Sequence, residues 1–297
     1  MTPTLTRRHL PRSTPAVCAD LRARARDWAE IQERMLVPLY EAVYERLEVG
    51  PGTRLLGLGC GSGLALLMAA TRGASVTGVE STHPERLALA RQRLLPDDCG
   101  SPVRPCRFAE GAARLTDGRD AVAATPPDAT PPGAAPYNLV TAFQPIGCTE
   151  GDAEGLGPLL AGAAPLAERG AAMVLAGWGP PERCATSSVL RVAARLADPL
   201  RATGAWRPAH RDDLEEVVRR AGLRPDGSGR VACPFGYADT DSAVRGLLST
   251  GLFDAAVGAT DPAQVDKELV ESLQPYVRAD GTVWMPNVFR YVLARTT

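Results

Sequence analysis

Residues 54–63 read Arg54-Leu55-Leu56-Gly57-Leu58-Gly59-Cys60-Gly61-Ser62-Gly63, a short apolar strand that runs into four glycines at alternate positions. Lacking a Cβ, Gly57, Gly59, Gly61 and Gly63 permit positive φ and let a ligand rest on bare peptide planes. The stretch from Ala65 to Ala70 then starts a helix, so the segment reads strand, glycine loop, helix, the opening unit of a nucleotide-binding α/β sheet. A tight turn that binds nothing would also use glycine, and the next stretch argues against it. Residues 74–80, Ala-Ser-Val-Thr-Gly-Val-Glu, form a second β-rich run ending on Glu80, 21 positions after Gly59. A carboxylate there can accept hydrogen bonds from both ribose hydroxyls of an adenosine-bearing cofactor. Glu80, with Ser81 beside it, marks the ribose end of the expected site.

The dinucleotide fingerprint G-x-G-x-x-G/A fits poorly: a register begun at Gly57 ends on Ser62, and one begun at Gly59 ends on Leu64. The spacing G-x-G-x-G before an acidic strand end instead resembles the class I S-adenosylmethionine-dependent methyltransferases. The resemblance runs from about Asp27 to Arg295 and is nearest the actinobacterial small-molecule branch related to ubiquinone-biosynthesis methyltransferases. Asp27-Trp28-Ala29-Glu30-Ile31-Gln32-Glu33 with Pro38-Leu39-Tyr40 is similar to the N-terminal helix that closes over the cofactor. Tyr137-Asn138-Leu139-Val140-Thr141-Ala142-Phe143 resembles the fourth strand, whose end faces the methyl group, and Ala172-Met173-Val174-Leu175 with Trp178-Gly179 resembles the fifth. Asn287-Val288-Phe289-Arg290-Tyr291-Val292-Leu293 resembles the closing antiparallel strand.

The resemblance implies a Rossmann-like, doubly wound α/β fold: a mostly parallel seven-stranded sheet, last strand antiparallel, with a helical insertion capping the substrate. S-adenosylmethionine is the implied cofactor, held by Trp28, Gly57, Gly59, Cys60, Gly61, Gly63, Glu80, Ser81 and Phe143, and by Glu110-Gly111-Ala112 at the adenine. Three departures stand out. Gly57 replaces the family's usual acid, which contacts the methionine amino group; Glu110 lies one place from the usual adenine-binding Asp; and Gln144 replaces an Asn after the fourth-strand Phe.

Along the chain, residues 1–20 read as a disordered tail and 21–50 as an amphipathic helical cap, with Leu36, Leu39, Val43 and Leu47 at three- or four-residue steps. Residues 51–180 read as the cofactor-binding core, with strands near 53–58, 75–80, 103–108, 137–143 and 171–178 and helices between them, an alternation that argues a parallel sheet. The stretch from Thr116 to Pro136 holds five prolines and reads as a surface loop. Residues 181–297 complete the core: a helix at 212–221, a strand at 230–237, a helical insertion over about 238–280 and a closing strand at 286–295.

Methyl transfer from a sulfonium is an in-line displacement, so aligning the reactants in a dry cavity matters more than a dedicated base. Gln144 and Thr141, at the fourth-strand end, are the polar candidates nearest the methyl, although ordinary strand-end hydrogen bonding explains each as well. His210 is a candidate base, against the simpler reading of an exposed residue before a helix. Trp28 can cover the sulfonium by a cation–π contact or anchor its helix.

A net charge of −1 supplies no electrostatic footprint for nucleic acid or an anionic membrane. The expected partner is a small molecule, and assembly as a homodimer stays open. Lys267 is the sole lysine among 33 basic residues, a bias towards arginine that discounts the Arg22, Arg24, Arg26 cluster as a site. Seven cysteines with no C-x-x-C pair indicate neither a metal site nor a disulfide framework, and a cytoplasmic location is expected. The substrate class expected is a small apolar specialised metabolite. Two other readings remain: a methyltransferase-fold enzyme doing cyclisation or isomerisation, and a non-catalytic binding scaffold.

Overall fold

The computed structural model describes residues 20–95, 104–105, 121–125, 136–146, 148, 152–198 and 213–297. The glycine loop opens where the sequence places it, between β1 (Arg54–Leu58) and α3 (Leu64–Thr71). β2 (Ser75–Val79) follows and pairs parallel to β1, and α4 (Pro84–Leu94) covers the return. β5 (Tyr137–Ile146) lies on the other side of β1 and pairs parallel to β6 (Ala167–Trp178). The chain thus steps outward from β1 in both directions, and the crevice at the carboxyl ends of β1, β2 and β5 is the switch point where such sheets bind ligands.

Among the described residues the central sheet has eight strands in the order β3-β4-β2-β1-β5-β6-β10-β7, with β3 at Arg104–Pro105, β4 at Ala121–Thr125, β7 at Arg224–Ala232 and β10 at Val288–Arg295. β10 is antiparallel to both β6 and β7, as expected of a closing strand. The expectation of seven strands is corrected by β4, which pairs antiparallel with β2 from inside the proline-rich stretch read as loop. Ala121-Val122-Ala123-Ala124-Thr125 carries no proline or glycine, so nothing in these five residues opposes a strand. The strand expected at 230–237 is also split. Pro234 breaks it, so β7 joins the main sheet while β8 (Phe235–Tyr237) pairs with β9 (Val283–Met285) in a separate two-stranded sheet.

Helical structure from Leu21 to Arg46 comes in three parts: α1 (Leu21–Asp27), a π-turn followed by a 3₁₀ turn over 28–36, and α2 (Val37–Arg46). Two further helices flank the sheet ends, α5 (Asp152–Ala163) before β6 and α6 (Thr186–Ala197) after it, and α7 (Asp213–Arg220) precedes β7. The insertion expected over 238–280 is helical: α8 (Thr240–Ser249), α9 (Asp254–Ala259) and α10 (Pro262–Leu273). α8 meets the N-terminal segment at Gly246, where a Cβ would stand 2.9 Å from both Ile31 and Tyr237. One buried cluster joins Leu39, Val43 and Tyr44 of α2 to Leu66 of α3, Phe143 of β5, Leu247 of α8 and Phe289 of β10, so the N-terminal helices and the insertion share a core with one sheet face.

Gly57 and Gly78 are register partners on β1 and β2, and together they leave a notch. Leu66 fills it from α3: a Cβ on Gly57 would come within 2.9 Å of Leu66 Cδ2, and one on Gly78 within 2.4 Å of Leu66 Cδ1 and 2.8 Å of Cys60 Sγ. Overpacking of this kind costs about 1–3 kcal/mol. Gly78→Ala is expected to destabilise the fold by that amount in chemical denaturation, by less against a Leu66→Ala background, where only the Cys60 collision is left, and by least against a Leu66→Ala, Cys60→Ala background.

Candidate active site

The turn after β1 is held by one buried carboxylate. Glu80, 3% exposed, ends β2, and its Oε2 accepts the Gly61 N–H at 3.1 Å while Oε1 accepts the N–H groups of Thr82 and His83 at 3.1 and 3.2 Å. Burial raises the Glu80 pKa, but the charge and hydrogen bonding of His83 and the amides of Thr82 and Gly61 outweigh it and hold the carboxyl below its ordinary value. His83 Nδ1, at 3.6 Å, is too far for a good hydrogen bond, so the amides are the firmer part of that balance. Two carboxylate oxygens offer about four acceptor sites, and three are used internally. Glu80 therefore shapes the loop first, with about one lone pair left to face the crevice.

Gly59, Gly61 and Gly63 have φ of 63°, 57° and 80°. Each serves a different neighbour. A Cβ at Gly59 would stand 3.3 Å from Gln144 Oε1, and one at Gly63 would strike Ala90 of α4 at 2.9 Å, which makes Gly63 a helix-packing glycine. At Gly61 a Cβ would stand 3.1 Å from Glu33 Oε1 and 3.2 Å from Trp28 Nε1. Gly57, extended rather than positive in φ, is bare for Leu66. Cys60 is lodged in the same notch, and burial, with the nearby Glu80 and Glu33 carboxylates, pushes its thiol well up, so it stays protonated and is no nucleophile.

The N-terminal segment closes the crevice. The Glu33 N–H bonds to the Trp28 carbonyl, the i to i+5 step of a π-turn, and this stacks two residues that an α-helix would set about 140° apart. Trp28 and Glu33 thereby face Gly61 together. Glu33, 2% exposed, accepts from the Ser62 hydroxyl and, at 2.9 Å, from Arg93 Nη1, both on Oε2. Burial raises its pKa, and Ser62 and Arg93 offset part of that rise. The guanidinium of Arg86 lies 4.1 Å from the centre of the Trp28 ring and donates to the Ser249 carbonyl at 2.7 Å. Burial pushes Arg86 down to about 10, leaving it charged at neutral pH. The cation over Trp28 in this structure is thus Arg86. Trp28 Nε1 is buried with no hydrogen-bond partner among the described residues.

Two cavities adjoin here. The first, about 30 Å³, is lined by the glycine loop, Glu80, Glu33, Arg86, Thr141, Phe143 and Gln144. Small-molecule sites measure about 300–1,000 Å³, so the crevice as it stands is smaller than such a site, and Trp28 and Glu33 form its wall on the N-terminal side. The second, about 60 Å³, shares Trp28, Leu36 and Gln144 with the first and continues between Trp178, Phe235, Phe289 and Leu252. Its aromatic wall is tight, with Trp178 4.6 Å from Phe289 and 6.0 Å from Phe235 between ring centres. No charged side chain lines it among the described residues.

Of the residues expected from sequence, Trp28, Gly57, Gly59, Cys60, Gly61, Glu80, Thr141, Phe143 and Gln144 come together around the first cavity. Thr141 is buried, Gln144 is exposed at the junction, and Phe143 is wedged between Tyr40 and Tyr44. Gly63 packs a helix, and Ser81 is exposed and outside the lining. Glu110, Gly111, Ala112 and His210 lie outside the described residues. Sequence reasoning missed Glu33, Arg86 and Arg93, because a helical period of 3.6 turns Glu33 away from Trp28.

No protein-family model matches the chain, and no curated protein does. Among solved structures, a candidate methyltransferase of Bacillus halodurans C-125 aligns at 13% identity over 86% of this chain and 97% of that one, with a TM-score of 0.46. YjhP of E. coli aligns at 18% identity over 92% and 98%, with a TM-score of 0.45. Geranyl diphosphate C-methyltransferase of Streptomyces coelicolor A3(2), solved with Mg²⁺, geranyl diphosphate and S-adenosyl-L-homocysteine, aligns at 14% identity over 89% and 80%, with a TM-score of 0.41.

Since the Glu80 carboxyl sits below its ordinary 4.5 in the fold, its contribution to stability is present above pH 4.5 and is lost as pH falls through the folded-state value. Glu80→Gln is expected to cost about 1–3 kcal/mol at pH 7. In thermal unfolding, the gap between variant and wild type should narrow steadily below pH 4.5.

Proposed function

We propose that this chain is an S-adenosylmethionine-dependent methyltransferase acting on a small, apolar metabolite. The observation that carries the reading is the pair of adjoining cavities: one on the glycine loop beside Glu80, the other uncharged and aromatic, meeting at Trp28, Leu36 and Gln144. The residues present suit the cofactor, since Gly61 offers a bare cradle and the Trp28 indole N–H, buried there, has no acceptor among the described residues. The resemblance of the glycine loop and strand blocks to class I methyltransferases supports the same conclusion.

When bound, the cofactor supplies a methyl group on a positively charged sulfur. The chain's residues do the rest. The remaining acceptor capacity of Glu80 faces the ribose, Gln144 and Thr141 orient the acceptor at the junction, and Phe143 keeps the floor dry. Trp178, Phe235 and Phe289 hold the acceptor by apolar contact. The uncharged lining of the second cavity among the described residues suits an acceptor for which positioning suffices, an enol or phenol that loses its proton readily or an amine in its uncharged form. In this reading the protein works on a small molecule in the cytoplasm, with α8–α10 as the cap over the acceptor.

The test is calorimetric titration of purified protein with S-adenosylmethionine and with S-adenosylhomocysteine, followed by assay of S-adenosylhomocysteine formation with a panel of phenols, amines and carboxylic acids. Micromolar binding of both ligands and turnover on a neutral aromatic member are expected. Failure of a folded, ligand-free sample to bind either would favour the cofactor-free enzyme or scaffold, a reading suggested by Gly57, where Leu66 fills the place of an acid. Gly61→Val, forcing a branched side chain at φ 57° into Trp28 and Glu33, is expected to abolish binding of both ligands. Normal affinity in that variant would remove the loop from the site.

A further inference from the structure

We infer that Glu33 and Trp28 form the recognition site for the amino-acid end of the bound cofactor, an inference that rests on the methyltransferase reading above. The argument is one of charge and vacancy of hydrogen bonds around Gly61. Glu80 is committed to three backbone amides and to the ribose side. A pair of ribose hydroxyls is neutral and needs one carboxylate, yet the same cavity is lined by a second, Glu33. Its Oε2 is anchored by Ser62 and Arg93 and the Leu64 amide also supports the carboxyl, while Oε1 stands over bare Gly61. Trp28 Nε1, buried and without a partner, stands over the same glycine. Arg93 already pairs the Glu33 charge through Oε2, so what Gly61 faces is a carboxyl oxygen beside an indole N–H that has no acceptor among the described residues. An α-ammonium carboxylate matches that acceptor and donor, its ammonium donating to Glu33 and its carboxylate accepting from the indole.

The π-turn is what makes the pair, because it aligns residues 28 and 33 on one face. Gly57 cannot supply this contact, since a side chain there meets Leu66. Arg93 and Ser62 are positioning residues that hold the carboxylate in place.

Calorimetry on the full chain with S-adenosylhomocysteine and with 5′-methylthioadenosine, which keeps the adenosine but lacks the amino-acid end, tests the assignment. Wild type is expected to bind S-adenosylhomocysteine at least about tenfold tighter. Glu33→Gln should remove most of that advantage and leave 5′-methylthioadenosine within about twofold. Trp28→Phe retains a ring under Arg86 without the N–H and should lose affinity for S-adenosylhomocysteine alone, which decides the matter should Glu33→Gln fail to fold in thermal unfolding. Equal affinity of wild type for the two ligands, or equal weakening of both by the variants, would overturn the inference while leaving the cofactor reading intact. Binding of neither ligand to folded wild type would overturn both.

Discussion

Three amide hydrogen bonds converge on Glu80, and through them the end of β2 is tied to the turn between β1 and α3. A buried carboxylate left without these donors would carry a desolvation penalty of several kcal/mol. Without the carboxylate the glycine turn would keep its backbone bonds from Cys60 to Val79 and from Gly63 to Cys60, and the Gly61 N–H would lose its acceptor. The two support each other. With the turn held, Gly61 presents its bare face to the N-terminal segment and Gly59 presents its own to Gln144. The ribose-binding duty expected of Glu80 is therefore added to a structural one. Loss of ligand binding on its removal has to be read alongside loss of stability.

The N-terminal segment is bound into the site from several sides. Arg93 and Ser62 hold Glu33, Arg86 covers Trp28, and Tyr237 donates to Gln32 at 2.9 Å within the core. Exposed ion pairs, Arg24 with Asp254 and Arg245 with Asp27, tie the same segment to the helical insertion. Such surface pairs contribute about 0–1 kcal/mol each, so the buried contacts at Glu33, Gln32 and Gly246 decide where the segment rests. Whatever displaces Trp28 and Glu33 also works against the packing of α8.

Much of this was legible in the chain. The apolar run into alternate glycines located β1, its turn and α3, and the acid at the end of the next β-rich run located the residue that organises the turn. The antiparallel closing strand came from the resemblance of residues 287–293 to the methyltransferase family, and the helical segments of the insertion from the pattern along the chain. What escaped did so for specific reasons. β4 was hidden by its flanking prolines, although its own five residues contain none. Pro234 divided an apparently continuous strand between two sheets. The pairing of Trp28 with Glu33 depends on a single i to i+5 step, which no 3.6-residue periodicity anticipates. The aromatic wall of Trp178, Phe235 and Phe289 is assembled from three distant strands and has no local signal at all.

The notch between Gly57 and Gly78 makes the floor of the ligand crevice continuous with the hydrophobic core. Leu66 occupies both the space above β1 and the space above β2, so the three positions form one steric unit. A side chain at position 57 displaces the Leu66 Cδ2 methyl, and the Cδ1 methyl of the same side chain fills the space over Gly78. A change made at the crevice floor is therefore felt in the core, and a change made in the core is felt by whatever rests on the loop.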